Sequence, residues 1–238
     1  MIKILTRDEE SQEYGKQTYS ELPPTSHTLK PITTGSSVIG LVYKDGVVIA
    51  SDTQVSYGSM VKLKDQQRVA KINDTTVLAS SGEYSDWQEA CNLMEKIEQK
   101  SRNEDDGIQY NAKDYANYLA RVNYQHRNKF NPLYINSIVG GFQKGEKYLA
   151  MIDIHGALLE GKSLVTGMAN YFSKPIIWND WNENQSEEEV KEILIRCFKV
   201  LFYRDVAATD NIHIAVVNKN GVKIDKVHVD SKWDYKLA

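Results

Sequence analysis

Ser36-Ser37-Val38-Ile39-Gly40-Leu41-Val42-Tyr43-Lys44-Asp45-Gly46-Val47-Val48-Ile49-Ala50-Ser51-Asp52 decides the fold. Two runs, Ser37 to Tyr43 and Val47 to Ser51, are apolar at nearly every position. Between them, Lys44-Asp45-Gly46 carries the Asp-Gly pair that favours a tight hairpin turn. A strand with one wet face alternates apolar and polar residues, whereas a strand apolar on both faces needs cover on both. The stretch therefore predicts a hairpin buried inside a layered fold.

Downstream, Val77 to Ser81 reads as a short strand stopped by Gly82. Two helical stretches follow. Trp87, Cys91, Met94 and Ile97 share one helical face, and Tyr115, Leu119, Val122 and His126 share another. Asp105-Asp106-Gly107 separates them. Strands resume at Ile135 to Phe142 and Tyr148 to Ile152, with a turn at Lys144-Gly145 and a short strand at Ser163 to Thr166. Gly140-Gly141 lies inside a strand pattern, which points to close packing. The last helix opens on Ser186-Glu187-Glu188-Glu189, a capping box with Ser at the N-cap and Glu three residues on. Val190, Ile193, Leu194, Cys197 and Leu201 make its apolar stripe, and a final hairpin pairs Ile212 to Val217 with Val222 to Val227. Helices in blocks, not between every pair of strands, predict an α+β fold. Two sheets held between two helix layers, a four-layer α-β-β-α sandwich, would bury the all-apolar strands.

The 238 residues suit one large domain, or a domain with an extra segment. With 41% hydrophobic and 26% charged residues the chain can build a core, which excludes global disorder. Lys plus Arg number 29 and Asp plus Glu 32, a net charge of −3 that argues against nucleic acid as the main partner. Cys91 and Cys197 are far apart and neither forms a CxxC pair, so no disulfide framework or zinc ribbon is expected. No apolar run approaches the ~20 residues of a membrane helix, and no apolar secretory segment follows the start. These features predict a soluble protein of a reducing, intracellular compartment. Residues 1–27 are polar and contain Leu22-Pro23-Pro24, which reads as a flexible leader or propeptide; residues 28–238 read as a single domain.

No two of the five histidines stand at metal-ligand spacing, and no HExxH, GxxxxGK[ST] or GxSxG motif occurs, so no metal or cofactor is expected. One arrangement carries chemistry. A polar leader ends at Thr33-Thr34-Gly35, Ser36 starts the buried hairpin, and Asp52 ends it. This is the layout of an N-terminal-nucleophile hydrolase, in which a hydroxyl or thiol residue becomes the first after leader removal and its own α-amine acts as base. Such an amine titrates at ~7.7–8.0, well placed for proton transfer near neutral pH. The same residue types are also ordinary at turns.

The hairpin Ser36 to Asp52, Ser80-Ser81-Gly82 and Leu201-Phe202-Tyr203-Arg204-Asp205 resemble proteasome beta subunits. Pro31-Ile32-Thr33-Thr34-Gly35, Ser56-Tyr57-Gly58-Ser59, Asn131-Pro132-Leu133-Tyr134 and Lys232-Trp233-Asp234 strengthen the likeness, which runs from about Thr28 to Asp234. The resemblance implies the Ntn-hydrolase fold and a place in the inner seven-membered rings of the 20S core particle, with other alpha and beta subunits as partners and the cytoplasm and nucleus as location. Catalytic members use an N-terminal Thr, supported by Asp, Lys, two Ser and a second Asp, with a Gly backbone in the oxyanion hole. Carried onto this sequence, the nucleophile falls on Ser36, the first Asp on Asp52, the Lys on Arg68, the oxyanion Gly on Gly82, the first Ser on Met168, the second Asp on Asp205 and the second Ser on Ala208. Arg stays charged where Lys can shift its pKa, and Met168 and Ala208 lack hydroxyls. The resemblance thus implies a degenerate site without peptidase activity, and a leader cut not at Gly35-Ser36 but upstream, near His27 and Thr28, by a neighbouring subunit. The alternative is an active N-terminal-serine hydrolase using Ser36.

Overall fold

The computed structural model describes residues 30–104, 107 and 109–232. The expected leader, its cut near His27 and Thr28, and Trp233-Asp234 lie outside the described residues. In chain order the strands are β1 (Thr33–Gly35), β2 (Val38–Tyr43), β3 (Gly46–Asp52), β4 (Val55–Tyr57), β5 (Met60–Leu63), β6 (Val69–Asn73) and β7 (Thr76–Glu83). Helices α1 (Tyr84–Glu104) and α2 (Ala112–Asn128) follow, then β8 (Ile135–Gln143), β9 (Glu146–Ile152), β10 (Leu158–Glu160) and β11 (Ser163–Thr166). The chain ends through α3 (Ala169–Phe172), α4 (Lys174–Asp180), α5 (Glu187–Arg204), β12 (Asn211–Asn218) and β13 (Gly221–His228).

The larger sheet runs β10-β9-β8-β7-β1-β4-β5, with β6 also paired to β7; the smaller runs β11-β2-β3-β12-β13. Every adjacent pair is antiparallel. Helices α1 and α2 cover the outer face of the larger sheet through Trp87, Met94, Tyr115 and Leu119. Helices α3 to α5 cover the outer face of the smaller sheet through Ala169, Ile177, Ile193, Leu194 and Phe198. The result is the predicted four-layer α-β-β-α sandwich.

The strand period of two explains why the β2–β3 hairpin is apolar throughout. Ile39, Leu41, Tyr43, Val48 and Ala50 point into the core shared with α5. Val38, Val42, Val47 and Ile49 point the other way, into the core between the two sheets, with Val69, Val77, Ile138 and Leu149 from the larger sheet. That inter-sheet layer is tight because two facing positions lack side chains. A Cβ at Gly40 would sit 3.0 Å from both Ile138 and Leu149, and one at Gly140 would sit 2.8 Å from Ile49 and 2.9 Å from Val47.

The long elements lie where the sequence places them, and the Ser186–Glu189 capping box is present, with the Ser186 N–H donating to the Glu189 carboxylate at 2.8 Å. Two differences matter. Strand β7 does not stop at Gly82 but continues to Glu83 and passes directly into α1. Thr33–Gly35, read as the end of a leader, is a strand paired on one side with β7 and on the other with β4. Strands β1, β4, β5, β6 and β10 escape the sequence reading because they are three to five residues long and mostly polar or half-exposed. Residues this few carry no periodicity to detect.

Gly140→Ala should overpack the inter-sheet layer and lower unfolding free energy by about 1–3 kcal/mol, read as a lower urea midpoint at unchanged slope.

Candidate functional site

Ser36 lies in the two-residue link Ser36-Ser37 where the chain leaves β1 in the larger sheet and enters β2 in the smaller. Its Oγ donates to the carboxylate of Asp205, the C-cap residue of α5, whose backbone N–H donates to the Leu201 carbonyl at 2.7 Å. The Ser37 Oγ, 3.3 Å from Ser36 Oγ, accepts the Ala169 N–H at 3.1 Å and so ties the link to the start of α3. Gly167, just before α3, has φ +64°, and a Cβ there would collide with the Ser36 carbonyl oxygen. A residue with a side chain would both strain this left-handed backbone and push Ser36 away.

Asp52 ends β3 and Arg68 precedes β6; their exposures are 0% and 1%, and they form a buried ion pair. Arg68 heads the described fully buried side chains in volume. Its guanidinium also donates to the Ser80 carbonyl at 3.1 Å and to the Asp52 carbonyl at 3.0 Å. Arg68 Nε finds no hydrogen-bond partner among the described residues. The Asp52 carboxylate accepts the Gln54 N–H at 3.1 Å. Burial pushes this carboxyl above the ordinary carboxylate range; the Arg68 charge opposes the rise, and Asp205 adds to it. Because a guanidinium keeps its proton, the pair is held together by a permanent charge. A Cβ at Gly35 would collide with the Arg68 side chain, so the residue before Ser36 has to be glycine for Arg68 to lie beneath it.

Gly82 has φ +110° and stands opposite Gly35 in the β1–β7 register; a Cβ there would collide with the Tyr134 carbonyl oxygen. Met168 is 39% exposed at the N-cap of α3 and presents a thioether. Ala208 is 7% exposed and packs into the apolar core under α5, its N–H donating to the Asp205 carbonyl at 3.1 Å. Asp205 in turn accepts the Ala207 N–H at 2.9 Å. The fold thus gathers Ser36, Asp52, Arg68, Gly82 and Asp205 around the end of β1, with Met168 beside the link and Ala208 in the adjoining core. Sequence reasoning does not single out Ser37, Gln54 or Gly167. The one available signal is the polar run Asp52-Thr53-Gln54 after an apolar strand, which is buried here instead of looping into solvent. Chemically, Ser36 has an acceptor for its hydroxyl proton in Asp205, whereas Asp52 is committed to Arg68 and the Gln54 N–H. Among the described residues no three His, Cys, Asp or Glu side chains are placed to hold a metal ion.

Arg68→Ala should strand Asp52 in the interior and cost about 3–5 kcal/mol near neutral pH. Arg68→Lys should recover part of that, since an ammonium keeps the charge but not the two-pronged geometry. In Arg68→Ala the Asp52 carboxyl loses its lowering influence, so its folded pKa rises further. A raised carboxyl pKa favours the fold below it and disfavours it above. The stability deficit should therefore shrink as pH falls into the carboxyl range, measured by urea unfolding across pH.

The sequence has matches among known proteins. The family model described as "Proteasome subunit" matches residues 32–217, which includes all seven positions above. The chain is 36% identical over 212 residues to "Proteasome subunit beta type-4" of Arabidopsis thaliana, covering 89% of this chain and 86% of that protein. It is 34% identical over 215 residues to the protein of the same name in Xenopus laevis, covering 89% and 88%. With "Proteasome subunit beta type-7" of Saccharomyces cerevisiae it shares 31% over 227 residues, covering 89% and 85%. The two-sheet sandwich, the crossing link at Ser36 and these likenesses place the chain in one group: it belongs to the proteasome beta-subunit family.

Proposed function

We propose that this chain is a non-catalytic beta subunit of the 20S core particle, which takes a place in an inner ring, contacts alpha and beta neighbours and helps to wall the proteolytic chamber. The observation that carries the loss of catalysis is the buried Arg68–Asp52 pair. A compact ammonium at that position could shift its pKa and pass a proton; a guanidinium cannot, and it binds the carboxylate tightly. Met168 and Ala208 offer no hydroxyl to orient an α-amine or a water. Loss of one positioned proton-transfer group typically costs ~10²–10⁴-fold.

The strand pairing of Thr33–Gly35 supports the same reading. A cut at Gly35-Ser36 would release a strand hydrogen-bonded on both sides, so the residues before Ser36 belong to the domain and not to a disposable leader. We infer that processing, if it occurs, falls upstream near Thr28. The rival reading, an N-terminal-serine hydrolase, has the Ser36–Asp205 hydrogen bond in its favour, but needs a free amine at Ser36. Assembly is supported by exposed apolar side chains on two surfaces, Tyr57, Met60 and Val61 on the β4–β5 hairpin and Tyr171 and Trp178 on α3 and α4. Exposed apolar groups of this kind mark contact surfaces. No described helix is long and apolar enough to cross a membrane, and the cytoplasm and nucleus are the expected location on family grounds.

In purified core particle, the intact mass and N-terminal sequence of this chain should show a start upstream of Ser36. Ser36→Ala should be incorporated normally and leave the particle's peptide-hydrolysis rates unchanged. A mature start at Ser36, together with labelling of Ser36 by a hydroxyl-directed probe, would overturn the non-catalytic reading.

A further inference from the structure

Strand β1 is the joint of the larger sheet. It pairs Thr33 with Tyr57 and Thr34 with Ser56 on β4, and Thr34 with Glu83 and Gly35 with Gly82 on β7. In the sheet order the β4–β5 hairpin reaches the other strands through β1. With β1 lifted out, β4 and β7 would face each other across one empty strand position. Neighbouring strands stand ~4.7–4.9 Å apart, so the gap would be about twice that and fit a single extended peptide backbone. The slot opens beside Ser36, which follows β1 directly in the chain.

Three side-chain contacts hold the head of this strand, and two come from one residue. The Glu83 carboxylate accepts the Ile32 N–H, and it accepts the Thr33 N–H at 3.0 Å and 3.2 Å to its two oxygens. Glu83 is itself fixed, its backbone N–H donating to the Tyr134 carbonyl at 2.9 Å. From the other side, Lys62 Nζ on β5 donates to Thr33 Oγ1 at 3.2 Å. A carboxylate that accepts two consecutive backbone N–H groups makes charge-assisted hydrogen bonds, the stronger class. Strand β1 has three residues, too few ladder bonds to be held by backbone pairing alone.

We propose that Glu83, assisted by Lys62, is a latch that keeps β1 seated in this slot as an intramolecular strand and so shuts extended peptides out of the position beside Ser36. The proposal builds on the reading of the Ser36 site above and is separable from it, because incorporation and silence at Ser36 are scored independently of the latch. Glu83 and Lys62 act as positioning residues for β1.

The test uses core particle carrying the full chain as wild type, Glu83→Ala, Glu83→Gln or Lys62→Ala. Hydrogen exchange read by mass spectrometry should be faster by about tenfold in the Thr33–Gly35 peptide of Glu83→Ala, the factor that one charged hydrogen bond is worth. Glu83→Gln should be intermediate, Lys62→Ala should show a smaller rise, and the β2 peptide Val38–Tyr43 should be unchanged in all three. A photoreactive hexapeptide with an extended backbone should label this chain at Val55–Tyr57 in Glu83→Ala and not in wild type. Unchanged exchange in both Glu83 variants, or a rise shared equally by β2, would overturn the latch. Faster exchange without peptide labelling would overturn the exclusion of peptides by β1. Lys62→Ala, a change at an exposed strand, keeps the test decisive if Glu83→Ala fails to assemble.

Discussion

Close face-to-face packing of two sheets is the constraint from which the rest of this molecule follows. The β2–β3 hairpin sits at the centre of the smaller sheet and must feed two cores at once, one toward α5 and one toward the larger sheet. Gly40 and Gly140 let the sheets approach, because a Cβ at either would press into branched side chains from the opposite layer. With both faces sealed by apolar contact, polar groups have room at the strand ends. There the chain must also cross from one sheet to the other, and that crossing is the Ser36-Ser37 link.

The polar groups gathered at the crossing are nearly all in balanced arrangements. Asp52 is fully buried, which by itself disfavours its charge, and Arg68 answers with a charge that cannot be titrated away. The long arginine side chain needs space that a glycine at position 35 leaves open. Ser36, Ser37 and Asp205 complete a chain of hydrogen bonds that links β1, α3 and α5. Among the side-chain polar atoms of Ser36, Ser37, Asp52, Arg68 and Asp205, Arg68 Nε is the buried one without a hydrogen-bond partner among the described residues.

Much of the architecture was legible from residues alone. The doubly apolar hairpin required cover on both faces, and the blocks of helical periodicity at Trp87–Ile97, Tyr115–Val122 and Val190–Leu201 identified what supplied it. The capping box at Ser186 marked the start of α5 because an N-cap hydroxyl and an acid three residues later satisfy two orphan N–H groups through local geometry. The matching box at Asn111, with Asp114 closing it, starts α2 by the same physics in less conspicuous residues. Strands β1, β4, β5, β6 and β10 were not legible, since three to five residues carry too little pattern and β1 depends on partners more than twenty residues away.

Sequence by itself determined the fold class and the order of the long elements, because periodicity, capping and turn chemistry are local and are written into neighbouring residues, whereas the positions of the Ser36 site followed from the resemblance to proteasome beta subunits. Tertiary structure alone decided that the Arg68–Asp52 pair, sixteen positions apart, is buried, that Thr33–Gly35 is a strand and not a tail, and that Glu83 reaches back to Ile32 and Thr33. Each of these is a contact between segments distant along the chain, and its energy depends on burial, which exists once the two sheets have closed on each other.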